Sequence, residues 1–147
     1  MTESEKDDIY YVCSLIEYTA RKTKNHRGDI VGRMTHDDMV HQLAAASVNH
    51  CLSFEQVSDE WIEDFAIPTG TFDTVAECRY TVPSFLSIGA LYQELVLATM
   101  PPDDPAQGII NIFASFLSDA ISDFNSSVYY TNPDYLRCSY LAGELLD

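Results

Sequence analysis

Apolar side chains recur along this chain at helical spacing and almost nowhere at the strict alternation a strand needs. Ile9, Val12, Cys13, Ile16 and Ala20 fall three or four apart, and Tyr11, Leu15 and Tyr18 widen the stripe, so a helix is expected over 4–24. Ser4 is its expected cap. Glu5, Asp7 and Asp8 suit the positive start of a helix, and Arg21, Lys22 and Lys24 suit its end. After the turn Asn25–Gly28, a short helix is the most that 29–34 allows.

Thr35, with Asp38 three residues on, marks the start of a helix through Met39, Val40, Leu43, Ala44, Ala46 and Val48 to Asn49. Ser53 with Gln56 marks another, which carries Phe54, Val57, Trp61, Ile62 and Phe65 and stops before Pro68 and Gly70. Residues 69–83 hold the one stretch of β-branched and aromatic alternation. That pattern allows a short β-like connector or hairpin, or a surface loop with one tucked-in aromatic.

Ser84 restarts helix, with Phe85, Ile88, Leu91, Tyr92, Leu95 and Val96 on one stripe, and Met100–Pro105 is the strongest break in the chain. From Pro105 a single long helix is expected, with Ile109, Ile112, Phe113, Phe116, Leu117, Ala120, Ile121 and Phe124 forming a broad apolar face. Thr131–Asp134 starts a last helix that runs through Leu136, Tyr140 and Leu141 to Leu145. The sum is an all-α bundle of about six helices, one domain over residues 1–147, divisible at most into halves 1–67 and 84–147.

Length and composition fit that reading. The chain has 147 residues, 46% hydrophobic and 12% aromatic, enough to bury a core and too apolar for a disordered acidic tail. Charge adds more: 8 Lys and Arg against 23 Asp and Glu give a net −15. Such a balance speaks against general nucleic-acid binding and against docking on an anionic membrane, both of which draw on cations. The acidic, polar N-terminus does not look like a targeting signal, so a cytoplasmic location is expected. Cys13, Cys51, Cys78 and Cys138 are scattered without a C-x-x-C pair. In a reducing compartment they read as small buried hydrophobes, and two disulfides would require export.

The charge is uneven. Five of the eight basic residues, Arg21, Lys22, Lys24, Arg27 and Arg33, fall in one short window, which predicts a basic corner. From Tyr80 onward a single cation, Arg137, stands against eight carboxylates. Tyrosine is abundant there too, with Tyr129, Tyr130, Tyr135 and Tyr140 close in sequence. Tyrosine offers contact area with a polar tip, so a partner-binding surface is expected on Asp119, Asp123, Tyr129, Tyr130, Asp134 and Tyr135. The plainer reading of the same residues is a solvated acidic surface and the half-buried rim of a small core.

Catalytic signals are thin. His36-Asp37, with His41 beyond, His26 upstream and Asp59 or Asp64 downstream, matches the residue types of a metal-dependent HD-type phosphohydrolase. The spacing is against it, since His36 and His41 lie five apart and Asp37 and Asp38 occupy a helix start. His50-Cys51 cannot form a dyad, because neighbours on a helix point apart. No glycine-rich phosphate loop and no G-x-S-x-G occurs. The expectation is therefore a non-enzymatic protein without a cofactor. The metal site at His36, Asp37 and His41 is one alternative, and a homo-oligomer joined through the apolar face of 109–124 is another.

The N-terminal half, YYVCSLIEYTARKTKNHRGDIV, then a helix, then LSFEQVSDEWIEDF, resembles a small bacterial domain. In that domain a helix with a C-x-x-x-E-type pattern precedes two shorter helices and a closing V-x-D-x-I segment. The resemblance covers residues 8–66 at most. Such domains resemble companions of toxin-like genes, some of the ADP-ribosyltransferase kind, which implies an antitoxin or accessory role and supplies no active-site residues.

Overall fold

A computed structural model describes residues 1–147 and is helical throughout, with no strand. The first helix, α1 (Glu3–Thr23), starts two residues earlier than expected, because Thr2 rather than Ser4 is the cap: the Thr2 hydroxyl accepts from the Glu5 amide at 3.1 Å. Lys24 ends it in the left-handed region at φ 58. A single turn and a half, α2 (Arg27–Val31), leads to α3 (His36–Asn49), where Thr35 and Asp38 form a reciprocal capping box. In α4 (Phe54–Asp64) Ser53 accepts from the Gln56 amide at 3.1 Å.

Residues 69–83 do not pair with themselves. Gly70 and Phe72 donate backbone bonds to the carbonyls of Thr23 and Lys24, at 2.7 and 2.8 Å, and Asn25 donates its amide to the Pro68 carbonyl at 2.7 Å. The α1 terminus thus takes the hydrogen bonds a hairpin would need, and the tucked-in aromatic is Phe72, stacked on His26 at 3.7 Å. Only a single helical turn, α5 (Thr74–Glu77), forms in the segment.

Past it, α6 (Phe85–Thr99) is followed by two helices where one was expected, α7 (Pro105–Ala114) and α8 (Phe116–Ser122). Ser115 breaks them. Its backbone is extended, and its hydroxyl donates to the Ile112 carbonyl at 2.6 Å while accepting from the Leu117 amide at 3.3 Å, closing one helix and opening the next. A 3-10 turn at Val128–Tyr130 precedes α9 (Pro133–Ala142), which stops at Gly143, φ 81, short of the expected Leu145. Nine α-helices replace about six because short turns were not separable from loops in the sequence.

The helix α1 is the axis of the fold. It packs on α6 and also touches α2, α3, α4 and α7, while α9 lies against α6 and α8. Where it packs on α6 the Ser14 side chain sits against Gly89, and a Cβ there would overlap it. One contiguous core runs from Ile9 through Trp61, Tyr92 and Phe113 to Leu136, so both halves of the chain close a single interior. Ile109, Ile112, Phe113, Leu117, Ile121 and Phe124 are buried in that core. Most of the broad apolar face of 109–124 is therefore spent inside the molecule, with Phe116 left exposed and Ala120 half-buried.

Candidate functional site

The C-terminal residues singled out in the sequence come from adjoining elements, since α8 touches both the 3-10 turn and α9. Their side chains are not equally free. Asp119 accepts from Nδ1 of His26 at 2.8 Å, and Asp134 is held by Arg137 Nε at 2.9 Å. Tyr135 donates its hydroxyl to the Leu146 carbonyl at 2.6 Å and is half-buried, as is Tyr129, whose ring meets Tyr130 edge-on at 4.9 Å. Asp123 is exposed with no ion pair, its carboxylate accepting only the nearby Asn125 amide at 3.1 Å. Tyr130 is 67% exposed and Leu141 64%. Asp123 and Tyr130 are thus the open members of the set, with Asp119 and Asp134 already partnered.

The basic corner expected from residues 21–33 is largely dismantled. Arg27 is buried, its guanidinium bidentate on Glu17 with Nε to Oε1 at 2.8 Å and Nη2 to Oε2 at 2.6 Å. Arg21 joins the same carboxylate at 2.7 Å, donates to the Pro83 carbonyl at 2.7 Å, and lies 5.1 Å over the Phe124 ring. Lys22 is paired with Asp59. Only Lys24 and Arg33 of the five remain without an ion pair.

Burial alone would raise the Glu17 carboxyl, but the bonds and charge of Arg27, followed by those of Arg21, outweigh it and hold it below its ordinary value. Tyr92, fully buried and stacked on Phe113 at 3.9 Å, is pushed far up by burial and next by the Glu17 charge. This arrangement was missed in the sequence, although a signal was there: Glu17 lies on the apolar stripe of α1 between Cys13, Ile16 and Ala20, four residues before Arg21.

His36, Asp37 and His41 do not form a metal site. Nε2 of His36 is bonded to Asp104, the cap of α7, at 2.8 Å, and its Nδ1 lies 3.8 Å from Asp37. No three His, Cys, Asp or Glu side chains anywhere in the chain gather closely enough to hold a metal ion. The bond to Asp104 raises the His36 imidazole above its ordinary value and lowers the carboxyl of Asp104. Of the cysteines only Cys13 is buried and Cys51 is exposed, so the expectation of four buried thiols holds for one; all four are free. No helix is long and apolar enough to cross a membrane. In comparisons with known proteins, the chain matches no family model, no curated protein and no solved structure.

Proposed function

We propose that this chain works by holding a protein partner, not by catalysing a reaction, and that the partner is basic. The observation that carries the reading is the uncompensated charge of residues 80–147. Their one cation, Arg137, is already bound to Asp134, and Glu94, Asp103, Asp123, Glu144 and Asp147 have no ion pair. Such a field speeds encounter with a cationic surface, and the exposed Tyr130 and Leu141 offer apolar contact that gives a complex its lifetime. The resemblance of residues 8–66 to a domain found beside toxin-like genes suggests an antitoxin-like or regulatory role in the bacterial cytoplasm, with the acidic surface masking the basic one. Neither nucleic acid nor membrane belongs to this reading.

The test is capture on the immobilised chain, with the retained protein identified by mass spectrometry and its complex titrated with salt. A basic partner that elutes steeply as salt rises is the expected result. Asp119→Lys with Asp123→Lys is expected to weaken the complex and flatten that dependence, with unchanged circular dichroism confirming the fold. A complex indifferent to both reversals would overturn the assignment.

A further inference from the structure

A cavity of about 440 Å³ opens between the first turns of α1, the end of α3, the start of α4 and α6. Its size lies in the range of small-molecule sites, which run from ~300 to ~1,000 Å³. One wall is aromatic, made by Tyr10, Tyr11 and Phe54, with the Tyr11 and Phe54 rings 5.2 Å apart. Asp7 and Asp8 stand on the α1 side, and neither meets a cation of this chain within ion-pair distance. His50, facing them from the end of α3, is the one basic ring on the wall.

Ser14 and Tyr11, both lining the cavity, have hydroxyls that are buried and find no hydrogen-bond partner in the protein, and Ser14 is fully buried. Buried hydroxyls are nearly always satisfied in a native interior, so these two stand out, although Ser14 turns its hydroxyl toward Gly89 of α6. The larger neighbouring cavity, about 590 Å³, shares Asp8 but has no such unpartnered buried group among its lining residues.

We propose that the cavity between α1, α3 and α4 is a binding site for a small organic cation, an ammonium carried on an aromatic or aliphatic body. Asp7 and Asp8 take the charge, and Tyr10, Tyr11 and Phe54 take the body. A cation is selected for two reasons: the carboxylates lack partners within a chain of net −15, and aromatic faces attract ammonium groups. An anion would meet both carboxylates and the whole field of the protein. The site lies on the N-terminal half, so its test is independent of the partner-binding reading.

Calorimetric titration of the full chain with phenethylammonium, 2-phenylethanol and phenylacetate separates charge from shape, because the three probes share a ring of the same size. Phenethylammonium is expected to saturate one site and to bind roughly tenfold or more tightly than the alcohol, while phenylacetate does not saturate. Asp8→Asn is expected to remove most of the cation's advantage and leave the alcohol unchanged. Asp64→Asn, an exposed and unpaired carboxylate on α4, is expected to change neither. Ser47→Trp, on the exposed rim, is expected to block both ligands with the helical spectrum intact. Equal affinity for amine and alcohol, equal loss in Asp64→Asn and Asp8→Asn, binding that survives Ser47→Trp, or no saturation by any probe would each overturn the proposal.

Discussion

Arg27 and Glu17 form a two-bond ion pair in which each side chain is 1% exposed, between a residue at the middle of α1 and one just beyond its end. Arg21 and the Asn25 carbonyl complete the network around it. Removing one member strands the other charge in the interior. Arg27→Met is expected to cost about 3–5 kcal/mol, and Glu17→Leu with Arg27→Met to recover much of that loss. Urea denaturation of the two variants measures the difference, and a double variant no better than the single one would show that the network does more than satisfy its own charges.

The same pair sets the acid limit of the fold. Because the Glu17 carboxyl is held below its ordinary value of 4.5, its contribution is complete above that pH and drains away as pH falls through the lower folded value. The wild-type unfolding midpoint is expected to drop steeply on acidification in that window, and Glu17→Gln to flatten the drop. A parallel acid profile for the variant would place the titrating group elsewhere.

His36 works in the opposite direction. Its bond to Asp104 raises the imidazole above the ordinary 6.5, so the stability it adds is complete below that pH and is lost as pH rises through the folded value. Thermal melts across neutral to mildly alkaline pH are expected to show a small decline in the wild type that His36→Gln removes. His36 is exposed and Asp104 half-buried at the surface, so the effect is small and screened by salt.

Gly89 leaves no room for a side chain where α6 packs on α1. A methyl group there overlaps Ser14, and α6 cannot retreat without opening the core around Tyr92 and Ile88. Gly89→Ala is expected to destabilise by about 1–3 kcal/mol despite the better helix propensity of alanine. Ser14→Ala removes the nearest atom, so the double variant is expected to recover part of the loss; strict additivity in denaturant melts would show that the two positions do not meet.

Ser115 holds the break between α7 and α8 through its own hydroxyl. Ser115→Ala is expected to cost about 1 kcal/mol, the usual worth of a lost cap, measured as a lower urea midpoint at unchanged slope. An unchanged midpoint would assign the break to packing alone.

The parts of this fold legible in the sequence are those with both a stripe and a cap. Thr35 with Asp38, Ser53, Ser84, and Asn132 followed by Pro133 each mark a helix start seen in the structure. Ser115 was not legible because the apolar phase of Ile112, Phe113, Phe116 and Leu117 runs through it unbroken, and one hydroxyl decides the backbone. Residues 69–83 have strand-like composition, yet the carbonyls of Thr23 and Lys24 compete for their amides, a contact no local pattern encodes. The candidate surfaces divide the same way. Charge excess near the C-terminus reads directly from composition. The basic window misled because Arg27 belongs to Glu17, and the cavity on Tyr11 and Ser14 exists only once α1, α3, α4 and α6 have come together.

The central place of α1 has a consequence for how the chain is made. Ile9, Cys13 and Ile16 are synthesised long before Phe85–Thr99, the helix that packs most extensively on α1. Until then the nascent stripe has only α2, α3 and α4 to shelter it, and its main cover waits on contacts distant in sequence. A ribosome stalled before Ser84 would display a sticky, chaperone-dependent intermediate, and release of α6 would be the step that commits the molecule to its native state.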